Sequence, residues 1–263
     1  MTEMAATDNI IDVRNLTVGY GDNIVLQDLN FSVKRGEVFV ILGGSGCGKS
    51  SLLKNMIGLY EPPVGEVLIE GDNIVTAEGA ERQAILTRFG VMYQQGALFG
   101  SMNLLENVRL FLEEYTRLNN DEMSLIARCK LDLVGLLPFE SFMPSEISGG
   151  MQKRAAIARA MALDPEILFL DEPSAGLDPI TSAELDQTIL SISRNLGITF
   201  VVVTHELPSI YTIADRVIML DKGTKGIIAE GKPQWLRDHS DVPLVRQFFN
   251  REITPPKMAP AAH

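Results

Sequence analysis

The chain has 263 residues, 46% hydrophobic and 22% charged, and its 34 acidic against 23 basic side chains give a net charge of −11. That composition suits a globular protein with a sizeable core, and the acidic balance argues against partners gripped by a basic footprint, such as nucleic acid or an anionic lipid surface. No apolar run approaches the roughly 18–20 residues that span a bilayer, residues 1–8 lack the regions of a secretory leader, and the two isolated cysteines, Cys47 and Cys129, fit a reduced cytoplasmic setting.

Ile11, Val13, Leu16 and Val18 alternate with polar residues and lead through Gly21-Asp22 into residues 24–31, the pattern of a hairpin or meander. Residues 38–42 are a continuous apolar strand ending in Gly43-Gly44. Behind it, Leu52, Leu53, Met56 and Ile57 fall on one helical face. Pro62-Pro63 and Gly65 break that helix, and residues 66–69 with Gly71-Asp72 read as a short strand and turn. From about 101 to 162 the spacing of Val108, Leu112, Leu125, Ile126, Leu133 and Val134 is helical. Strands return at 167–170, Thr199–Val203 and 217–220, separated by helical stretches, which predicts a parallel sheet with crossover helices. Residues 226–229 follow a turn, 233–250 read as a last helical stretch, and 251–263 as a Pro- and Ala-rich tail.

Gly43-Gly44-Ser45-Gly46-Cys47-Gly48-Lys49-Ser50 matches G-x-x-x-x-G-K-[ST] and stands between an apolar strand and an amphipathic helix, as a phosphate-binding loop requires. Glycines let backbone amides curl around phosphate oxygens, and the helix N-terminus adds positive dipole. Lys49 would reach the β- and γ-phosphates and the Ser50 hydroxyl would bind Mg²⁺. The apolar run 167–170 ends in Asp171-Glu172, which places one carboxylate to hold Mg²⁺ and the next to polarise a water for attack on the γ-phosphate. Ser148-Gly149-Gly150 opens an alanine-rich helix over 151–162, with Ser148 as a ready N-cap and exposed amides as an anion site. Cys47 is a free position of the phosphate loop, either a small filler or a thiol whose pKa is lowered by Lys49 and the helix N-terminus.

In this order the motifs resemble the nucleotide-binding subunits of ABC transporters, over roughly residues 10–250. The resemblance implies ATP and Mg²⁺ as cofactors and an α/β fold of the P-loop NTPase class. It implies a RecA-like parallel-sheet core with an N-terminal antiparallel β-subdomain and a helical signature subdomain. Residues 9–250 would form one ATPase domain with about 101–162 inserted. Tyr20 would stack on adenine, or else be an ordinary strand residue. Residues 43–50 and Ser51 would hold the nucleotide. Gln94 would sense Mg²⁺ and the attacking water, and Ser50 and Asp171 would complete the metal site. His205, directly after a strand, would act on the γ-phosphate beside Glu172 and Lys49. Ser148, Gly149 and Gly150, with Asp178, would serve ATP bound by a second copy of the chain in a head-to-tail sandwich. One departure is Ile147-Ser148-Gly149-Gly150-Met151 where the family usually has Leu-Ser-Gly-Gly-Gln.

Residues 93–108, the Ser-Gly-Gly-Met run and Asp178-Pro179-Ile180-Thr181 resemble more narrowly the ATPases of Mla-type phospholipid transporters, which maintain outer-membrane lipid asymmetry. That resemblance implies an MlaE-like permease dimer docking near 94–108, an MlaD-like MCE lipid-binding protein and an MlaB-like STAS-domain protein. It places the chain at the cytoplasmic face of a bacterial inner membrane, attached only through its permease and binding no nucleic acid. The alternatives are an importer ATPase for amino acids or another small solute and, more distantly, a soluble ABC ATPase of translation or DNA repair.

Overall fold

A computed structural model describes residues 8–21 and 23–251; Asp22 of the expected turn and residues 252–263 of the expected tail lie outside the described residues. The strands are β1 (Asn9–Tyr20), β2 (Asn23–Lys34), β3 (Val38–Gly43), β4 (Val64–Ile69), β5 (Asp72–Asn73), β6 (Phe89–Met92), β7 (Ile167–Asp171), β8 (Thr199–Val203), β9 (Arg216–Asp221) and β10 (Gly226–Gly231). The α-helices are α1 (Lys49–Met56), α2 (Gly79–Leu86), α3 (Leu104–Tyr115), α4 (Asn120–Leu133), α5 (Gly149–Ala160), α6 (Pro179–Leu196), α7 (Leu207–Ile213), α8 (Pro233–His239) and α9 (Pro243–Asn250).

The strands form an antiparallel sheet, β2-β1-β4-β5, and a larger sheet, β10-β9-β3-β8-β7-β6. In the larger sheet β9, β3, β8, β7 and β6 run parallel, and β10 closes one edge antiparallel to β9. Strand alternation explains the continuous apolar runs. Val38, Val40 and Leu42 face one core, and Phe39 and Ile41 the other; Leu168 and Leu170 oppose Ile167 and Phe169 in the same way. A strand buried on both faces needs apolar residues at every position. One face is covered by α3 to α6, the other by α1 and the antiparallel sheet.

Local signals set the helix ends. Asn103 with Glu106 and Asn119 with Glu122 form capping boxes at α3 and α4. Asp178 caps α6, with Pro179 in its first turn and Gly197 in the left-handed conformation at its end. The last helical stretch is two helices, α8 and α9, because Val242 precedes Pro243 and is extended (φ −81°, ψ 115°). The stretch 73–92, which carried no reading beyond its turn, contains α2 and β6.

Candidate functional site

Four parallel strands deliver their C-terminal ends to one place: β3 the phosphate loop, β7 Asp171 and Glu172, β8 His205, and β6 Gln94. Ligands of open α/β sheets bind at such strand ends. A cavity of about 730 Å³ opens there, lined by residues that include Tyr20, Gly44, Lys49, Gln94, Glu172 and His205.

The loop needs its glycines at two points. Gly43 has φ +153°, and a Cβ there would lie 2.5 Å from the Leu220 carbonyl oxygen. Gly48, at φ +106°, precedes α1 without a side-chain cap, which leaves first-turn amides for an anion. The Lys49 ammonium donates to the Gly43 carbonyl at 3.0 Å and the Gly44 carbonyl at 3.4 Å. The Ser50 hydroxyl donates to Asp171 Oδ1 at 3.1 Å. Tyr20 is 47% exposed at the cavity edge; its hydroxyl donates to Ser51 Oγ at 2.8 Å, and its ring meets Tyr60 edge-on at 5.6 Å.

Both carboxylates at the end of β7 are buried, Asp171 at 7% and Glu172 at 8% exposure. Burial pushes the Asp171 carboxyl up, against the Ser50 hydrogen bond and the charges of Lys54, Lys49 and Lys153. Glu172 has φ +48°, a sparsely populated conformation for a non-glycine residue. Its Oε1 lies 2.9 Å from His205 Nδ1, and its buried Oε2 has no hydrogen-bond partner among the described residues.

Four residues assigned to nucleotide binding lie elsewhere. Ser148, Gly149, Gly150 and Asp178 do not line the cavity. They cluster where α5 and α6 begin: a Cβ on Gly149 would lie 3.7 Å from Leu177, and one on Gly150 only 2.2 Å from Thr181 Cγ2. Ser148 caps α5 by accepting from Met151 N at 3.2 Å. The Asp178 carboxylate accepts from Ile180 N, Thr181 N and Thr181 Oγ1, bonds that hold it below the usual carboxylate range.

For Cys47 the structure decides between the two readings, small filler and activated thiol, in favour of the filler. Cys47 is 2% exposed and faces a neighbouring cavity of about 360 Å³ that Leu220, Asp221 and Phe248 also line. Burial raises its pKa by more than Lys49 lowers it, so the thiol is a filler under the loop. Two basic residues of α5 escaped the sequence reading. The Lys153 ammonium donates to the Gln94 carbonyl, and the Arg159 guanidinium to the carbonyls of Gly96 (2.9 Å) and Ala97 (2.6 Å).

The family model described as "ABC transporter" matches residues 26–175. The chain belongs to the ABC transporter family. Among curated relatives it is 44% identical over 246 residues to the probable ribonucleotide transport ATP-binding protein mkl of Mycobacterium leprae, covering 93% of this chain and 70% of that one. It is 38% identical to the intermembrane phospholipid transport system ATP-binding protein MlaF of Escherichia coli K12, covering 92% of this chain and 89% of the other. Among solved structures, the ATP-binding cassette MJ0796, a dimer in a post-hydrolysis state bound to ADP and phosphate, superposes with a TM-score of 0.74 at 32% identity, covering 84% of this chain and 98% of that one. The cassette cbiO1 of Clostridium perfringens, part of the cbiONQ transporter complex, gives 0.80 at 29% identity over 94% and 100% of the two chains.

The ABC chain is an ATPase, and its ligand is ATP. The fold therefore agrees with the expected P-loop class, with β10 as the antiparallel exception in the main sheet. Among the described residues no helix is long and apolar enough to cross a membrane.

Proposed function

We propose that this ABC chain powers the movement of glycerophospholipid between the inner and outer membranes of a bacterial envelope. The observation that carries this reading is its similarity to the phospholipid-transport ATPases, which runs nearly the full length of both chains. Residues 9–250 act as one ATPase domain with about 101–162 inserted in it.

Two copies work head to tail. The cavity gathers Tyr20 and most of the phosphate loop but none of Ser148, Gly149, Gly150 and Asp178; Ser148, Gly149 and Asp178 are exposed elsewhere, with Gly150 buried beneath them. A second copy, turned about a twofold axis, brings its Ser148–Gly150 amides over the ATP of the first. ATP lies with adenine on Tyr20 and phosphates along 43–51, where Lys49 exchanges the carbonyls of Gly43 and Gly44 for phosphate oxygens.

Ser50, Asp171 and Gln94 would hold Mg²⁺, a hard cation suited to their oxygen donors, and Ser50 and Asp171 already stand together. When bound, the ion would neutralise charge on the phosphates. Glu172 orients the attacking water and accepts its proton at Oε2, the oxygen left without a partner among the described residues, while His205 holds Oε1. Loss of the γ-phosphate removes the charge that joins the halves, and the pair opens because only ATP favours the closed form.

An MlaE-like permease dimer supplies the membrane attachment at the cytoplasmic face of the inner membrane, with an MlaD-like MCE protein and an MlaB-like STAS protein in the complex. A groove of about 250 Å³ beside the Gln94 loop, lined by Leu86, Phe89, Val91, Tyr93, Phe111 and Tyr115, supports docking of an apolar permease helix. Asn107 stiffens the adjoining turn, accepting from Phe99 N and donating to the carbonyls of Phe99, Met102 and Asn103.

The test is co-purification from the native host, followed by mass spectrometry of retained lipid and lipid transfer between vesicles. A permease and ATP-dependent glycerophospholipid transfer are expected. The name of the mycobacterial relative favours a second reading, ribonucleotide transport. A complex that moves labelled ribonucleotide, or an amino acid, and no lipid would overturn the phospholipid assignment.

A further inference from the structure

Helix α5 has two ends of different exposure. Its N-terminus, with Ser148 and Gly149 exposed, is available to a second copy, whereas its second turn is buried against the Gln94 loop of its own chain. Lys153 is the residue that meets that loop. It is 8% exposed, its ammonium donates to the Gln94 carbonyl, and the charges of Asp171 and Glu172 act on it across the site. A buried ammonium needs partners of this kind, because burial alone disfavours its charge.

The Gln94 loop depends on this helix. Gly96 (φ +71°) and Ala97 (φ +51°) turn the loop sharply, and Arg159 takes their carbonyls. A Cβ on Gly96 would come within 3.4 Å of the Ala156 Cβ, so the loop lies directly on α5. Lys153 and Arg159 thus tie residues 94–97 to the helix whose first turn is offered to the partner's nucleotide.

We propose that Lys153 is a positioning residue for ATP hydrolysis: its bond to the Gln94 carbonyl fixes the Gln94 side chain toward Asp171 and Glu172. Its ammonium also faces the two acids that the reaction gathers around one phosphate. A shift of α5 on engaging the partner's ATP is then passed through Lys153 to the Gln94 of its own site, which couples the two sites of a dimer. This rests on the roles given above to Gln94 and Glu172.

The test compares Lys153→Met, Lys153→Arg and Glu172→Gln in the full chain within the complex it co-purifies with. Lys153→Met should lower kcat about 10-fold or more while the KM for ATP stays within about 3-fold, the pattern of a lost transition-state interaction. Amide exchange of residues 93–98 should rise about 10-fold from local opening, and affinity for ATP without Mg²⁺ should be kept. Lys153→Arg should restore kcat to within about 3-fold. If Lys153→Met does not fold, Lys153→Gln is read by the same criteria. Wild-type kcat, unchanged exchange at 93–98, or no rescue by arginine would each overturn the role of Lys153. Full turnover by Glu172→Gln would instead overturn the underlying site assignment.

Discussion

Gly150 offers a test in which geometry sets the outcome in advance. It occupies the second position of α5, where alanine would ordinarily gain up to about 1 kcal/mol over glycine. Its missing Cβ would lie 2.2 Å from Thr181 Cγ2, inside any tolerable contact. Thr181 has little freedom to move away, because its hydroxyl donates to Asp178 Oδ2 at 2.5 Å and its backbone N–H to Oδ1 at 3.1 Å. Overpacking of this kind typically costs about 1–3 kcal/mol, so Gly150→Ala should destabilise the nucleotide-free chain by about 1–2 kcal/mol. Thr181→Ser deletes only the offending methyl and keeps the hydroxyl bond to Asp178. In that background Gly150→Ala should be neutral or slightly stabilising, which gives a coupling of about 1–3 kcal/mol in a double-mutant cycle. Urea unfolding of the four proteins measures it. Equal cost of Gly150→Ala in both backgrounds would refute the steric argument and leave the glycine to a nucleotide role alone.

Glu172→Gln should bind ATP and lose turnover by about 10²–10⁴-fold, the usual weight of a positioned general base, measured by phosphate release; a wild-type rate removes Glu172 from that role. Lys49→Ala should weaken ATP binding by about 10–100-fold in calorimetry, on the scale of one or two charge-assisted hydrogen bonds to phosphate, and unchanged affinity would remove it from the phosphate site. Asp186 is buried and pushed up to about 6, mainly by burial, with the Ser209 hydroxyl opposing and Glu206 adding to the rise. The folded state therefore keeps a proton that the unfolded state releases near pH 4, so stability falls as pH rises from about 4 to 6 and the penalty is constant above that. Asp186→Asn should raise the melting temperature at pH 7.5, by at most about 3 kcal/mol of stability, and should gain little at pH 4. A pH-independent loss would contradict this reading.

Legibility in the sequence followed burial and locality. The phosphate loop, Asp171-Glu172 and the main strands were readable because strands buried on both faces must be apolar throughout, and a phosphate loop must be glycine-rich at fixed spacing. β6 was not readable: it is four residues long, and Gly90 interrupts it because a Cβ there would lie 2.0 Å from the Ala160 carbonyl oxygen. Lys153 looked like one more cation on a helix, and only the fold brings it to Gln94, 59 residues away in the chain. For Cys47 the sequence left two readings open, because nearness to Lys49 is visible in the chain while the burial that outweighs that charge is set only by the fold.

The two helix ends that meet at Gly150 and Thr181 also differ in charge. A helix N-terminus attracts an anion only while its first-turn amides are free and no anion already sits there. At α6 a carboxylate occupies that place: Asp178 accepts from the amides of Ile180 and Thr181. At α5 the cap is the neutral Ser148, the first turn holds no acidic residue, and the amides of Gly149 and Gly150 have no side-chain acceptor among the described residues. The adjacent helix ends are therefore unequal. The start of α5 keeps the character of an anion site, whereas Asp178 fills that place at α6 and fixes the seat of Thr181 against Gly150.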